Sequence, residues 1–436
     1  MSKLYTLRRI SAACILITVC MLCTAPALAA DFSGSGTAND PYLIQSNADM
    51  KKLAELVNAG NADYSAAHYL LTTDLALEEE EWTPIGLSPK IISMTVSFEG
   101  VFDGNGKSIT YSIEKPAANF AGLFGCNSGT IKNLNIKCFI SGVYDDVVLY
   151  AGGICGMNLQ GTIENCEAAA EIHIVSDAAY AGGIAGYDAG GVIKDCSAEV
   201  ILSAKTLGDD DVGVGGIVGD TFGSVIDCTV SGSVFADGDE SVYAGGVVGS
   251  THSDSTVSGC TANAAVTAAG TSDDMYAGGI VGDNHGLVFG CEVKKTKISA
   301  ECIGEGWTYT YAGGIAARNY ADIKDSKSAA DVSAFSSMIP AEDNDNWPQV
   351  LVGGIAGYSE GLLENCLTSG TVSGEAEGEV FSDAVVGVND GTVKNCSAEG
   401  GNTEDDFTPS DDTAESPAPL FGIIGGLCAA LVLRRR

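Results

Sequence analysis

The amino-acid sequence predicts an all-β fold: a right-handed parallel β-helix (β-solenoid) of about nine or more coils, with a short N-terminal capping helix. Three observations predict it. A glycine-rich phrase recurs along most of the chain, an Asn, Asp or Gly follows each copy at a nearly constant distance, and a small or apolar residue comes directly after that position. A repeat of this period indicates stacked copies of one supersecondary unit.

The glycine phrase is clearest in Tyr150–Gly156, which reads Tyr-Ala-Gly-Gly-Ile-Cys-Gly, and in Tyr180–Gly186, which reads Tyr-Ala-Gly-Gly-Ile-Ala-Gly. Nine copies align on their second glycine, with Gly122 and Ala384 as its equivalents in the first and last copies, at positions 122, 153, 183, 216, 246, 279, 314, 354 and 384, so successive copies lie 30 to 40 residues apart. A nucleotide-binding glycine loop is the functional alternative, but neither a helix pattern nor a Lys-Ser/Thr pair follows the phrase. We expect the glycines to serve close packing and turning in every coil.

A left-handed corner is predicted 11 to 13 residues after each aligned position. Every copy has Asn, Asp or Gly there, the residue types that adopt positive φ at low cost. An aliphatic residue lies two positions earlier and a small or apolar residue directly after, as at a bend between two short strands. The predicted structural turns are Asn133, Asn165, Asp195, Asp227, Gly259, Gly290, Asp325, Asn365 and Asn395. Asn395 also begins a formal glycosylation sequon, for which we favour the structural role.

Each coil is predicted to hold about three short strands and one acidic loop of variable length before the next phrase. Stacking at ~4.8 Å per coil gives nine coils a length of roughly 40 Å. Propeller blades need roughly 40–45 residues, and helical repeats are excluded because these copies are rich in Gly, Val and Thr and lack a 3.6-residue period. A parallel β-helix is the architecture that remains.

Residues 31–118 are predicted to form an N-terminal cap and the first solenoid strands, before the repeats of residues 119–400. Ser46 and Asp49 resemble a helix start, and Gly60 is the expected stop. The apolar face of this helix would comprise Met50, Leu53, Leu56 and Val57. Such a helix would shield the open strand edge of the solenoid. Strand-like segments follow at Tyr69–Leu77 and Phe98–Ile113.

The two ends carry targeting patterns. Residues 1–30 predict a signal peptide, because Lys3, Arg8 and Arg9 precede an apolar stretch and a small-residue cleavage site follows. A retained membrane anchor is the alternative. Residues 401–419 predict an acidic Ser/Thr/Pro linker. Residues 420–436 predict a membrane or sorting segment, with 14 apolar residues before three arginines. Cleavage of this segment and simple insertion as a tail anchor both stay open.

The chain is strongly acidic, with 57 Asp and Glu against 22 Lys and Arg. Six of the basic residues and none of the acidic ones lie in residues 1–30 and 420–436, so the part between carries a formal charge of −41. Nucleic acid and anionic lipid are poor partners for such a surface. We therefore expect no nucleic-acid partner and membrane contact through the C-terminal segment only.

The fifteen cysteines favour a structural role over a disulfide framework. Three lie in the signal and one in the C-terminal segment, while Cys166, Cys196, Cys228, Cys260 and Cys291 occupy the small position after the corner. Disulfides between coils are the alternative, but stacked Cβ vectors run parallel and would strain the dihedral angle. A buried, reduced stack is the prediction.

Candidate ligands and catalytic groups are few. The four histidines, His68, His173, His252 and His285, show no spacing typical of zinc or a triad, and are predicted to lie on the surface or in loops. Calcium is the one cofactor weighed, since hard cations take carboxylate oxygens. Its candidates are Asp209, Asp210, Asp211, Asp237 and Asp239. Paired carboxylates could also act as acid and base on a polysaccharide.

The ordered series of phrases resembles the GLUG-motif surface proteins. The resemblance covers Gly36–Ile44, Leu53–Gly60, Leu71–Leu75, Trp82–Gly86, Phe98–Gly106, Ala121–Gly125 and the repeats to about Gly400. It implies a secreted or anchored β-solenoid and no catalytic residues. The C-terminal segment, with Pro417-Ala-Pro419 before the apolar run, is similar to exosortase and archaeosortase sorting signals.

The expected function is a non-catalytic cell-surface protein of structural or adhesion type, exported and anchored by its C-terminus. Its expected partners are cell-envelope components, surface glycans or other surface proteins. The alternative is a polysaccharide-active β-helix enzyme, a glycosidase or lyase, at the cell surface.

Overall fold

The chain forms a stack of about nine β-solenoid turns built from parallel strand pairs, as the sequence predicts. The computed structural model describes residues 31–399, except 78–80, 88–95, 116–118, 145–146, 208–209, 272–273, 304–307, 338–348 and 377. The predicted signal, linker and sorting segment, residues 1–30, 401–419 and 420–436, lie outside the described residues.

Two sheets of nine strands flank the glycine phrase, with one strand of each sheet in every coil. Sheet B precedes the Gly-Gly pair and comprises Phe120–Ala121, Val148–Gly152, Ala178–Gly182, Val212–Gly215, Val242–Gly245, Met275–Gly278, Tyr309–Gly313, Gln349–Gly353 and Glu379–Asp383. Sheet C follows it and comprises Phe124–Asn127, Cys155–Asn158, Ala185–Asp188, Val218–Thr221, Val248–Thr251, Val281–Asn284, Ala316–Asn319, Ala356–Ser359 and Val386–Asn389. Equivalent residues of successive copies pair in register, as Tyr150 does with Tyr180.

The third side of the solenoid is sheet A, which has 24 strands. Its first strands are Tyr42–Ile44, His68–Leu71, Leu75–Ala76, Val101–Ile113 and Thr130–Val143. The short strands that end at the predicted corners are Thr162–Glu164, Val192–Lys194, Ser224–Ile226, Thr256–Ser258, Leu287–Phe289, Ile323–Lys324, Leu362–Glu364 and Thr392–Lys394. The strands after the corners are Glu167–Ser176, Ser197–Thr206, Thr229–Gly238, Thr261–Gly270, Glu292–Val293, Lys297–Cys302, Lys327–Ser328, Asp331–Ser336, Leu367–Thr368, Val372–Ala376 and Ser397–Ala398. A typical coil therefore has four strands rather than about three, because the left-handed residue interrupts the third side.

The interior is filled by columns of identical or similar side chains, one per coil. Ile184, directly after the Gly-Gly pair, is fully buried, and so is Ile163, two residues before the corner. In sheet A the side chains alternate between interior and solvent, as the burial of Glu167–Ser176 shows. Each coil therefore buries its apolar side chains fully only when the coils above and below it are folded as well.

The N-terminal end carries the predicted helix, Asn47–Asn58. The Ser46 side chain caps it by accepting a hydrogen bond from the Asp49 backbone N–H, and Met50, Leu53 and Val57 are buried on its inner face. A second helix, Ala62–Ser65, follows. Among the described residues no helix is long and apolar enough to cross a membrane.

The phrase glycines allow backbones to approach closely, and their φ angles are not left-handed. A Cβ at Gly183 would lie 2.4 Å from the carbonyl oxygen of Gly216 in the next coil. A Cβ at Gly186 would lie 2.5 Å from the backbone N of Ala151, in sheet B of the preceding coil. The chain thus folds back sharply at the phrase, and the outer faces of sheets B and C adjoin there. These glycines are therefore needed at the turn because a side chain would not fit there, and not because the backbone has a positive φ.

Candidate functional site: the outer strip at the glycine elbow

The glycine elbow is the sharp fold-back of the chain at each Gly-Gly phrase, between a strand of sheet B and the following strand of sheet C. The surface richest in polar and aromatic side chains is the outer strip, which we define as the outward side chains of sheets B and C where they meet at this elbow. Tyr180 of sheet B and Tyr187 of sheet C are both half-buried there, with ring centroids 6.3 Å apart. The alternation of the strand directs Ala181 into the core and Tyr180 outward. A separate apolar cluster, centred on Tyr276 and Tyr311, forms on this outer side.

The sheet B side of the strip is a column of aromatic rings. Tyr150 and Tyr180 stack with centroids 5.4 Å apart, and Tyr276 lies 5.0 Å from both Tyr243 and Tyr311. Ring faces therefore cover one another along the column. The column is interrupted once between Tyr180 and Tyr243, where Gly213 occupies the tyrosine position.

The sheet C side of the strip is polar. Its register places Tyr187, Asp220, Ser250, Asp283 and Arg318 in one column. Because successive members come from neighbouring coils, each can contact the next across a single strand spacing of ~4.8 Å.

Asp283 and Arg318 form the most buried ion pair of the strip. Arg318 Nε donates to Asp283 Oδ1 at 2.9 Å, and Nη2 donates to Oδ2 at 2.7 Å. The guanidinium carbon lies 4.3 Å from the Tyr276 ring centroid and 5.0 Å from that of Tyr320. Burial alone would raise the pKa of the Asp283 carboxyl, but hydrogen bonds and charge from Arg318 and His285 hold that pKa below its ordinary value.

Asp220 has a histidine partner instead of an arginine. His252 Nε2 lies 3.2 Å from Asp220 Oδ2, and its ring stacks on Phe222 with centroids 3.7 Å apart. The hydrogen bond to Asp220 raises the pKa of His252, and partial burial opposes the shift. The prediction that His252 is a plain surface or loop residue misses this pairing, as it misses the 3.0 Å contact of His285 Nε2 with Asp283.

Inside the solenoid, a ladder of polar side chains runs parallel to the strip. Asn127 Nδ2 donates to Asn158 Oδ1 at 2.8 Å, and Asn158 Nδ2 donates to Asp188 Oδ1 at 2.7 Å. Thr221 and the Gly191 backbone N–H also donate to Asp188. Burial raises the pKa of the Asp188 carboxyl to about 6, although these hydrogen bonds oppose the shift.

A second ladder continues the first in later coils. Thr251 donates to Asn284 Oδ1 at 2.9 Å, Asn284 Nδ2 to Asn319 Oδ1 at 2.7 Å, and Asn319 Nδ2 to Ser359 at 3.0 Å. These buried groups satisfy one another from coil to coil, which is what burial of polar atoms requires.

All nine predicted turn residues have left-handed backbone angles. Their φ values are 52° at Asn133, 52° at Asn165, 54° at Asp195, 51° at Asp227, 63° at Gly259, 65° at Gly290, 50° at Asp325, 56° at Asn365 and 51° at Asn395. Their amides also bond along the corner, which the sequence did not predict: Asn165 Nδ2 donates to Asn133 Oδ1 at 2.7 Å, and Asn133 Nδ2 to Asp103 Oδ1 at 2.9 Å. Beside this corner lies a polar pocket of about 410 Å³.

The cysteines of the corner column are buried and carry free thiols, the arrangement that the sequence favours. Each thiol lies within hydrogen-bonding distance of a backbone carbonyl, as Cys196 Sγ does at 3.2 Å from the Lys194 oxygen. Elsewhere in the core, burial raises the pKa of the Cys126 thiol to about 11 and that of Cys138 to about 12. These two thiols are therefore protonated and inert at neutral pH.

The structure does not bring the calcium candidates together. Asp237 contacts the Lys205 ammonium at 2.5 Å, and Asp239 accepts a hydrogen bond from Thr271. Asp210 is exposed, Asp211 is half-buried, and Asp209 lies outside the described residues. Within the described ranges, no group of three or more His, Cys, Asp or Glu side chains is placed to hold a metal ion. Calcium binding stays a prediction.

The strip itself was missed by sequence reasoning, although a signal was available. Counting four residues on from the aligned glycines 216, 246, 279 and 314 gives Asp220, Ser250, Asp283 and Arg318. The repeat alignment therefore contained the register of this column. What it lacked was the direction of these side chains at the elbow.

Comparison with known proteins gives one sequence relative. No family model matches the chain. Halomucin from Haloquadratum walsbyi is 32% identical over 151 residues, which make up 34% of this chain and 2% of halomucin. The chain thus spans about 2% of the length of that relative.

One solved structure, a candidate immunoglobulin A1 protease from Bacteroides ovatus, superposes with a TM-score of 0.42 at 16% identity. The superposition covers 80% of this chain and 86% of that one. At that TM-score it supports no inference about activity.

Proposed function

We propose that this chain is a non-catalytic cell-surface protein of structural or adhesion type, which presents a β-solenoid rod. In this proposal residues 1–30 direct export, residues 420–436 hold the chain at the surface, and the repeats are of the GLUG type. Its partners are envelope components, surface glycans or other surface proteins. The match with halomucin is compatible with this location.

The observation that carries the proposal is the use made of polar side chains. Asp188 is held by donors from the coils on both sides, and Asp283 is held by Arg318 of the next coil. The amides of Asn133 and Asn165 likewise bond along the stack. Polar side chains that could take part in catalysis thus form hydrogen bonds and ion pairs between coils, as expected of a structural scaffold.

The enzyme alternative rests on the same strip, where carboxylates lie beside aromatic rings. A sugar-binding subsite needs an open ring face, but Tyr243, Tyr276 and Tyr311 stack at 5.0 Å and cover one another's faces. The buried Asp283 is bonded to Arg318, so it accepts or donates no proton readily at neutral pH. This arrangement favours a structural role for the strip over hydrolysis.

A glycan array combined with a reducing-sugar assay tests the proposal. We expect binding without turnover on any polysaccharide that the array identifies. Release of reducing ends, or of unsaturated products, would establish the enzyme alternative. Labelling of intact cells with a membrane-impermeant reagent tests the location, and mass spectrometry of the native C-terminus shows whether residues 420–436 are retained.

A further inference from the structure

The last coil that the structure describes has strands that are paired on one side only. Glu379–Asp383 is the end strand of sheet B, and it pairs with Gln349–Gly353 of the preceding coil. Val386–Asn389 is likewise the end strand of sheet C. Within the described part of the chain, no strand pairs with the other side of Glu379–Asp383. An unpaired strand edge is a template for another β-strand.

The side chains of this end strand are also uncovered. Val380 is 39% exposed, whereas Val350, the equivalent residue of the preceding coil, is fully buried. Phe381, on the outward side of the strand, is 37% exposed, against 3% for the equivalent Leu351. The end strand therefore presents apolar side chains on both faces beside its unpaired backbone.

The inner coils show which N–H groups of the end strand point away from the solenoid. Val242 N–H donates to the Asp274 oxygen of the next coil at 3.0 Å. Val380 has the same position in its coil, so its N–H points to where a further strand would lie. Gln349 N–H, one position earlier in the repeat, donates at 3.1 Å to the coil before it. The equivalent Glu379 N–H therefore faces the preceding coil.

The charges near the end strand indicate the kind of partner that it accepts. Residues 372–399 hold six acidic residues and one basic residue, a formal charge of −5. Glu379 is exposed, and the hydrogen bond that it accepts comes from the neutral amide of Gln349 at 3.1 Å. A second copy of this end would bring like charges together, and so would residues 401–419, which hold six acidic residues and no basic one. A strand with Lys or Arg side chains is attracted instead.

We propose that Glu379–Asp383 binds an extended basic segment of a partner protein as a further β-strand. The alternation of a strand then puts a Lys or Arg side chain beside Glu379 and an apolar side chain over Val380. The inference goes beyond the proposed surface role, because it names the chemistry of a protein partner and does not depend on where the chain is located.

The test is a titration of the full chain with a heptapeptide that alternates Lys and Val and has blocked ends, followed by calorimetry and amide hydrogen exchange. We expect saturable binding that slows exchange at Glu379–Asp383 and leaves Val212–Gly215, inside the stack, unchanged. Glu379→Lys should weaken binding about tenfold, because it turns an attraction into a repulsion. Val380→Pro removes the outward N–H and should weaken binding about fivefold or more.

Matched controls separate this edge from general charge attraction. Glu199→Lys makes the same change of charge at an exposed residue within sheet A and should leave the affinity unchanged. A heptapeptide that alternates Glu and Val, and a Lys and Val peptide methylated on every backbone nitrogen, should each bind at least about tenfold more weakly. Circular dichroism confirms that each variant is folded; Glu379→Lys changes an exposed side chain and is expected to fold even if Val380→Pro does not.

Several results would overturn the proposal. These are no saturable binding to the native chain, equal affinity in the folded Glu379→Lys variant, equal affinity for either control peptide, or protection away from Glu379–Asp383. Slow exchange of the Val380 amide before any peptide is added would overturn it too, because a second copy or another segment of the chain would then already cover the edge. The glycan and reducing-sugar assays bear on the surface role alone, so failure of either proposal is recognisable on its own.

Discussion

Arg318 and Asp283 form a two-bond ion pair that joins one coil to the coil before it, with Nε 2.9 Å from Oδ1 and Nη2 2.7 Å from Oδ2. Both side chains are largely buried, with exposed fractions of 17% and 4%. Removing one member of such a pair is strongly destabilising, because the other charge is then left buried without a partner.

Replacing Arg318 by Met should therefore lower the free energy of unfolding by about 3–5 kcal/mol, since Asp283 would remain buried and charged. Chemical denaturation measures the change. The double variant Arg318→Met with Asp283→Asn should recover much of the loss. Lys295→Met, at an ion pair whose lysine is 70% exposed, is the matched control and should change stability little. A small effect of Arg318→Met alone would show that the pair is not needed.

Asp188 should make the solenoid less stable as the pH rises. Its folded pKa of about 6 exceeds the ordinary value of 3.8, so the folded state holds the proton more tightly than the unfolded state. The free energy of unfolding should fall between about pH 4 and pH 6 through this group, by about 2–3 kcal/mol in total.

Asp188→Asn should remove that dependence, because a neutral amide carries no buried charge and can still bond to Asn158 and Thr221. We expect the variant to be more stable than the native chain by about 1–3 kcal/mol at neutral pH and nearly equal to it near pH 4. Denaturant titrations at the two pH values make the measurement. An equal difference at both values would contradict the assignment.

Replacing a corner residue by Val should lower stability more than replacing it by Gly. Asp195 and Asn165 have φ values of 54° and 52°, so replacing either by Val should cost about 1–2 kcal/mol from left-handed strain. Asp195→Gly should cost much less, since glycine adopts positive φ freely. Unfolding midpoints of the Val and Gly variants of the same position provide the comparison, and equal losses would argue against strain at the corner.

The cysteines of the described residues should react only after unfolding. Eleven of them are buried and in the thiol form, so a thiol reagent should label almost none in the native chain and all eleven in denaturant. Mass spectrometry of the labelled peptides counts them. Pairs that stay unlabelled in denaturant until a reductant is added would reveal disulfides between coils instead.

The corners and the capping helix could be predicted because each depends on local chemistry. Positive φ restricts the residue at position 195 to a few types, and Ser46 caps a helix whose apolar face is visible in the spacing of Met50 and Leu53. The aligned glycines fixed the coil period and hence the stack.

The outer strip could not be predicted in the same way, because it depends on the direction of side chains at the elbow. Asp283 and Arg318 are 35 residues apart, and their contact requires that the outer faces of two sheets adjoin. The sharpness of that fold-back follows from backbone approach at residues such as Gly186, where a Cβ would lie 2.5 Å from Ala151 N. No periodicity in the sequence reports such a distance.

The in-register pairing of equivalent residues, such as Tyr150 with Tyr180, makes the coil a unit of length. Each coil bonds mainly to its two neighbours. A whole repeat can therefore be inserted or deleted between equivalent positions, and the coils that become neighbours then pair through the same kinds of contact. The rod would then lengthen or shorten in steps of ~4.8 Å. Coils that carry Asp188, or the Asp283 and Arg318 pair, are less exchangeable, since their loss would leave a buried partner behind.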